Sequence, residues 1–115
     1  MSRKTVGLVE PIKIIGNGSS KIVMARIDTG ATKSSIDANL ASEVRAGPII
    51  ETKMIRSAHG NSLRPIITAK IEIEGEIVET SFTVAERSHM KYKMLIGQNV
   101  LKRGKFLVDP LKKPK

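Results

Sequence analysis

The sequence contains no cysteine, no tryptophan and few other aromatic residues. Without cysteine the chain cannot form disulfides or thiolate metal sites, and we expect it to be cytoplasmic. One tyrosine and two phenylalanines offer few platforms for stacking nucleic-acid bases, which argues against RNA binding. No apolar run approaches the roughly 20 residues of a membrane span, and the start of the chain is charged, unlike a signal peptide.

Positive charge dominates the chain, with 20 Lys and Arg against 11 Asp and Glu and a net charge of +9. Such a field attracts anions but does not distinguish acidic peptides from RNA or ribosomes. Lysines cluster near the end, and residues 111–115 are predicted to be a basic, solvated tail. With 115 residues, 40% of them hydrophobic, we expect a single domain over residues 1–115.

Apolar residues recur mostly with a period of two, which predicts a β-rich chain. Val6 and Leu8, and then Ile12 and Ile14, are expected to alternate with polar neighbours before a hairpin turn at 16–18. Further strands are predicted over residues 21–28, 49–57, 62–73 and 77–85, with a turn at residues 74–76 between the last two. Short helices are predicted over residues 38–45, capped by Asp37, and over residues 98–102. The predicted fold class is all-β, a small closed domain with at most two short helices.

Asp28 lies in the run Ile-Asp-Thr-Gly-Ala at the expected end of a strand. We expect Gly30 to take φ values that other residues resist, which would turn the chain and present the carboxylate. The hydroxyl of Thr29 can bond to the backbone, and Ala31 leaves room for a substrate or a second chain. Taken alone, this motif is also compatible with an ordinary turn, because Asp and Gly are favoured turn residues.

A second motif at residues 95–99, Leu-Ile-Gly-Gln-Asn, changes that interpretation. The two motifs together resemble the retropepsin-like aspartic peptidases, in which each of two chains supplies one aspartate. The segments 86–97 and 106–110 are similar to the group labelled ATP-dependent zinc protease, whose members are associated with an ATP-grasp glutamate ligase that modifies a ribosomal protein. The resemblance covers about residues 23–110. It implies a retropepsin-like acid-protease barrel, a homodimer, and the ligase or a ribosomal protein as a partner.

The resemblance and the strand pattern together assign candidate site residues. The expected catalytic residues are Asp28, Thr29 and Gly30. The expected substrate-binding residues are Arg26, Ala31, His59, Gly60, Ile96 and Gly97. The residues expected to brace the aspartate loop are Thr32, Gln98 and Asn99.

A single carboxylate catalyses hydrolysis poorly. Two carboxylates close together share a proton and supply an acid and a base at the same site. The other aspartates, Asp37 and Asp109, lack a following glycine turn. A dyad therefore requires a homodimer with Asp28 on its two-fold axis. Retroviral enzymes carry an ion pair where this chain has Gln98 and Thr32. We expect a polar contact from Gln98 to Thr32, or to another residue of 32–35, to replace it.

Arg26 should share a strand face with Asp28, where retropepsins carry an apolar residue. A cation there favours glutamate-rich peptides, although Arg26 can equally project into solvent. His59 and Gly60 occupy the position of the retropepsin flap, a hairpin that closes over substrate. His59 is either a solvated turn residue or a substrate contact.

The sequence contains neither a His-Glu-x-x-His helix nor a Gly-Lys-Ser/Thr phosphate loop, so we expect no metal site and no cofactor. Three functions remain open. The preferred one is a homodimeric aspartic endopeptidase. The alternatives are a catalytically silent peptide-binding module and a basic ribosome- or RNA-associated β-barrel.

Overall fold

The computed structural model of the chain describes residues 2–58 and 60–114, which form nine strands and two helices. The strands are β1 Thr5–Val6, β2 Val9–Ile15, β3 Ser20–Ile27, β4 Ser34–Asp37, β5 Ile49–Ser57, β6 Gly60–Ile73, β7 Glu76–Ala85, β8 Met94–Ile96 and β9 Leu107–Val108. The helices are α1 Ala38–Val44 and α2 Gln98–Arg103. Neither of these helices has the length and apolar character needed to span a membrane.

Strands β2, β3, β8, β4, β7 and β6 are hydrogen-bonded in that order. The ring closes where residues 13–15 of β2 pair with residues 70–72 of β6, so β6 contacts β2, β5 and β7. Strand β5 lies outside the ring and extends the sheet as a long hairpin with β6. The predicted all-β closed barrel with two short helices is therefore confirmed.

The barrel interior is filled by side chains that alternate along the strands. Ile12, Ile14, Ile71 and Phe82 are all 0% exposed. Leu8, which was expected to continue the alternation of Val6, is instead 51% exposed. Leu8 lies between the end of β1 and the start of β2, so the alternation of buried and exposed residues is interrupted there.

Local turn and cap signals were reliable. The turns at 16–18 and 74–75 join β2 to β3 and β6 to β7 as predicted. Helix α1 begins after Asp37, whose Oδ2 accepts hydrogen bonds from the amides of Asn39 (3.2 Å) and Leu40 (3.4 Å). Arg45 ends the helix in the left-handed region with φ of 56°.

Three sets of strand pairings were not predicted, and all depend on distant partners. Strand β4 lies between β7 and β8, parallel to β7 and antiparallel to β8. Strand β8 also runs parallel to the end of β3. Strands β1 and β9 pair with each other in parallel, which joins the two ends of the described chain.

The prediction of a solvated basic tail over residues 111–115 is wrong at Lys112. Its Nζ donates to Glu10 Oε2 at 2.9 Å, to Glu74 Oε1 at 2.7 Å and to the carbonyl of Thr5 at 2.8 Å. Glu10 is 0% exposed, and its Oε2 also accepts the amide of Gly7 at 2.7 Å. A buried carboxylate thus holds the C-terminal segment against β2.

Candidate active site

The aspartate loop begins where β3 leaves the sheet beside β8. Ile27 lies next to Ile96 in the parallel pair, and the amide of Asp28 donates to the carbonyl of Ile96 at 2.8 Å. On the other side, the amide of Ile27 donates to the carbonyl of Leu8 at 2.9 Å. Backbone bonds on both sides of the strand therefore fix the position of Asp28.

Within the loop, the Asp28 carboxylate is held by a neighbouring amide. Gly30 donates to Asp28 Oδ1 at 2.9 Å, and the amide of Ala31 donates to the Asp28 carbonyl at 3.2 Å. In the described part of the chain, Asp28 Oδ2 has no hydrogen-bond partner. The side chain is half-buried, so one oxygen is anchored and the other is available to a water or a second carboxylate.

The expectation of an unusual φ at Gly30 is wrong, because Gly30 is not among the glycines with positive φ. A Cβ at Gly30 would lie 3.3 Å from Asp28 Oδ1, a tight contact with the carboxylate itself. The glycine matters here for space beside the carboxylate rather than for backbone freedom.

Gly97 is required by the close approach of two backbone segments. A Cβ there would lie 2.3 Å from the carbonyl oxygen of Lys33 and 2.8 Å from that of Ala31. The amide of Gly97 donates to Ser34 Oγ at 2.8 Å. The turn after β8 is thus in direct contact with the strand that leaves the aspartate loop.

The first residues of α2 brace the loop, although not through the predicted pair. Gln98 Nε2 donates to the carbonyl of Thr29 at 2.8 Å, and the Gln98 amide donates to that of Ala31 at 2.7 Å. Thr32 contributes its carbonyl, which accepts the amide of Asn99 at 3.2 Å. The expected side-chain partner Thr32 was wrong, since Gln98 reaches back past the 32–35 segment to Thr29.

Ser34 and Asn99 form a part-buried polar link, and the sequence did not indicate Ser34 as the partner of Asn99. Ser34 is 0% exposed, and its Oγ donates to Asn99 Oδ1 at 2.7 Å. Asn99 Nδ2 donates to the carbonyl of Ser81 at 2.8 Å. The three residues join β4, α2 and β7, and their separation along the chain leaves no local signal.

Arg26 is exposed, while Ile27 beside it is 5% exposed. Because side chains alternate along a strand, Arg26 and Asp28 are expected on the side opposite Ile27. Ile96 was expected to bind substrate, but its side chain is 0% exposed and packs in the core. Its contribution to the site is the carbonyl that accepts the Asp28 amide.

Strands β5 and β6 form a hairpin at the residues that were predicted to be the flap. Its residue His59 lies outside the described residues. Gly60 has φ of +110°, a conformation that favours glycine, and a Cβ there would meet no atom within 4 Å. A small side chain at Gly60 would therefore meet no steric barrier from the described residues beyond its chain neighbours.

A second buried polar group supports β4 from the other end. The amide of Arg87 donates to Asp37 Oδ1 at 2.8 Å, and its guanidinium donates to Ser35 Oγ and to the carbonyl of Tyr92, both at 3.2 Å. Burial lowers the pKa of Arg87, and the charge of Asp37 partly offsets this. Arg87 and Tyr92 lie in the segment 86–97 that carries the family resemblance, but the sequence did not indicate their contacts with Asp37 and Ser35.

A groove of about 440 Å³ lies between the β5–β6 hairpin and the strands below it. It is lined by Lys33, Ser34, Ser35, Ile50, Glu51, Lys53, Ile55, Arg64, Ile66, Ser81 and Thr83. Lys33 follows Asp28 by only a few residues, so one end of the groove is formed by the segment that follows the aspartate loop.

Across residues 2–58 and 60–114, no three His, Cys, Asp or Glu side chains come together to hold a metal ion. The described side chains therefore do not fit the zinc site that the label of the resembling group implies.

A closed barrel whose aspartate loop is held against a glycine turn defines the retropepsin-like class. Residues 38–114 match the family described as RimB-like, "Retropepsin-like aspartic endopeptidase RimB", and the chain belongs to this family. The match begins after Asp28, so it covers the second motif but not the aspartate loop.

Solved structures share the fold at low sequence identity. A Legionella pneumophila protein of unknown function superposes with a TM-score of 0.70 at 18% identity, covering 99% of this chain and 98% of that one. The EIAV protease gives a TM-score of 0.63 at 18% identity over 82% and 84% of the two chains. The Simian Foamy Virus (mac) protease gives 0.57 at 18% identity over 80% and 91%.

Two curated proteins, from Shewanella pealeana and Shewanella halifaxensis, are each called "Probable alpha-L-glutamate ligase". Each is 29% identical over 113 residues, and the match covers 76% of this chain. The chain spans about a quarter, 24%, of the length of these relatives.

Proposed function

We propose that the protein is an aspartic endopeptidase whose active site forms when two chains bring their Asp28 side chains together. The supporting observation is the state of that carboxylate. Asp28 Oδ1 is anchored by Gly30 at 2.9 Å, while Oδ2 has no partner among the described residues. Two such groups brought within a few ångströms by a two-fold axis would share one proton.

In the proposed reaction, the ionised Asp28 takes a proton from a water held between the two carboxylates. The water oxygen attacks the scissile carbonyl carbon, and the protonated Asp28 of the other chain donates to the developing oxyanion. Collapse of the tetrahedral intermediate breaks the C–N bond, and the amine leaves with a proton from the dyad. Gly30 fixes the carboxylate, while Thr29 and Ala31 hold the loop through their main-chain atoms and leave space for substrate backbone.

The proposed substrates are peptides rich in glutamate. Arg26 is exposed, and the alternation of side chains along β3 predicts that it lies on the same side as Asp28, where a cation favours acidic side chains. The proposed partners are a glutamate ligase or a ribosomal protein that the ligase modifies. The similarity to relatives called glutamate ligases supports this proposal. A single domain over residues 1–115 and a cytoplasmic location remain predictions.

The test compares wild-type protein with Asp28→Asn on a peptide library. We expect wild type to cleave, Asp28→Asn to lose all detectable turnover, and Asp109→Asn to retain it. Asp109 is an exposed aspartate that accepts the amide of Leu111, so it is a matched control. Turnover by Asp28→Asn at the wild-type rate would exclude the proposal.

Mixing the two proteins tests the dimer directly. In exchangeable dimers with equal amounts of wild type and Asp28→Asn, only about one quarter of the dimers carry two aspartates. Activity should then fall to about a quarter of the all-wild-type value at the same total concentration. A fall to only about one half would mean that each chain acts alone.

If wild type and Asp28→Asn both fail to cleave but bind peptides equally, the result would support a catalytically silent peptide-binding module and not a peptidase. Binding to RNA that weakens steeply with salt, without binding to neutral peptides, would favour the basic barrel instead.

A further inference from the structure

The groove between the β5–β6 hairpin and the strands below it contains an unusual pair of cations. Lys53 of β5 lies directly opposite Arg64 of β6 in the antiparallel register, and both line the groove. Like charges directly opposite each other on one face destabilise a sheet. The pair therefore imposes a cost on the hairpin that an anion in the groove would relieve.

A third cation, Lys33, lines the same groove from the segment that follows the aspartate loop. In the stretches 2–58 and 60–114, none of the three cations forms an ion pair. Arg64 is also half-buried, which makes an unpaired charge there more costly than at the surface. Glu51 is the one acidic residue in the lining, so the groove is positive on balance.

The remaining lining limits which anion fits. Ile50, Ile55 and Ile66 supply apolar contacts that suit the methylene groups of a side chain. Ser81 and Thr83 supply hydroxyls that donate to a carboxylate. Glu51, on the same strand face as Lys53, repels a polyanion such as RNA more than a single carboxylate.

The backbone of β5 indicates how a peptide would be held. Strand β5 is at the end of the sheet order and pairs with β6 on one side. Among the described residues no strand pairs with its other edge, so its outer amides and carbonyls can bind an extended segment by strand addition. Alternate side chains of that segment would then lie on the groove face beside Lys53, with Arg64 one strand further in.

We propose that this groove is a specificity site for a peptide's carboxylate side chain, bound by Lys53 and Arg64 with Lys33 at the end nearest the aspartate loop. The inference rests on the proposed peptidase function for its biological meaning. The site itself is formed by one chain, so binding does not require the dyad.

The experiment measures binding of a short labelled peptide with Glu at alternate positions and of its Gln counterpart, using Asp28→Asn protein to prevent cleavage. We expect about tenfold tighter binding of the Glu peptide, the difference that one charge-assisted hydrogen bond provides. Lys53→Gln and Arg64→Gln, each made in the same background, should each remove most of that preference. Lys70→Gln is the control, because Lys70 is on β6 with Arg64 but outside this groove.

Equal affinity for the two peptides would overturn the inference, as would an equal loss from Lys70→Gln, which would indicate only the general positive field. Tighter binding of a single-stranded RNA oligomer, lost in Lys53→Gln and Arg64→Gln, would overturn it in favour of a nucleic-acid site. Cleavage by wild type is scored separately. Cleavage without a preference for the Glu peptide would refute the specificity site but not the peptidase function. Selective binding of the Glu peptide without cleavage would support the specificity site and refute the peptidase function.

Discussion

Gln98 Nε2 and the carbonyl of Thr29 are joined by a 2.8 Å hydrogen bond, which connects the first residue of α2 to the residue directly after Asp28. The bond spans 69 positions of sequence and uses a neutral amide. A neutral donor braces the loop without the desolvation cost of a charged pair.

Replacing Gln98 should affect the loop more than the fold. The bond is solvent-exposed, so we expect Gln98→Ala to lower the free energy of unfolding by only about 0.5 kcal/mol. Peptide turnover should fall at least about tenfold in kcat, since misplacement of a reacting group is costly. Gln98→Glu is the matched variant, because it keeps the size but cannot donate; retained turnover in Gln98→Glu would contradict this role.

Gly97 should tolerate no side chain. Gly97→Ala would place a Cβ 2.3 Å from the carbonyl of Lys33, and we expect a loss of about 2 to 3 kcal/mol in urea unfolding. Gly75→Ala is the comparison, because its φ is +77° but its surroundings are open. That variant should lose about 1 kcal/mol. Equal losses at the two positions would show that the close approach at Gly97 is not the cause.

The buried contact of Glu10 with Lys112 should dominate stability at the C-terminal segment. Lys112→Met leaves Glu10 buried without its cation, and we expect a loss of about 3 to 5 kcal/mol. Lys113→Met changes an exposed lysine and should stay within about 0.5 kcal/mol of wild type. Chemical denaturation of the two variants checks this, and similar stabilities would contradict it.

The same contact predicts a pH dependence. Burial lowers the pKa of Lys112, but the hydrogen bonds and charges of Glu10 and Glu74 outweigh burial and raise it above the ordinary value of 10.5. A pKa raised by folding stabilises the protein fully below that ordinary value, and the contribution disappears as the pH rises through the raised pKa. The stability gap between wild type and Lys112→Met should therefore narrow as the pH rises above 10.5. A gap that stays constant across this range would exclude titration of Lys112 as its source.

Asp37 uses its two oxygens for different tasks, which two variants separate. Asp37→Ala removes the cap of α1 and the acceptor for the Arg87 amide, and should cost about 2 kcal/mol or more. Asp37→Ser retains a capping oxygen, but its side chain is too short to bind both the helix amides and the Arg87 amide. We therefore expect a smaller loss of stability than in Asp37→Ala. Thermal unfolding measures the difference, and identical melting temperatures would show that the cap contributes nothing.

Features set by neighbouring residues could be read from the sequence. The turn at 74–75 and the start of α1 at Asp37 follow from turn and cap chemistry within a few positions. The long strands β6 and β7 were predicted within about two residues of their ends. The barrel itself was inferred from the family resemblance, and the solved relatives confirm the fold.

What the sequence did not indicate depends on distant contacts. Strands β4 and β8 have four and three residues, too few to display a period, and are defined by their neighbours in the sheet. The contact from Lys112 to Glu10 crosses 102 positions, so composition alone suggested a solvated tail. Thr29 was not predicted as the partner of Gln98, because it accepts the hydrogen bond through its main-chain carbonyl. Every residue has that group, so the sequence carries no signal for it.

Most of the bonds that hold the aspartate loop join main-chain atoms, including Asp28 to Ile96 and Gln98 to Ala31. Peptide groups are the same whichever amino acid carries them, so mutation can replace most surrounding side chains without losing this framework. Chains that share 18% of their residues can thus retain one architecture. Side chains on the surfaces that choose a ligand can then change without disturbing the main-chain bonds that hold the acidic loop.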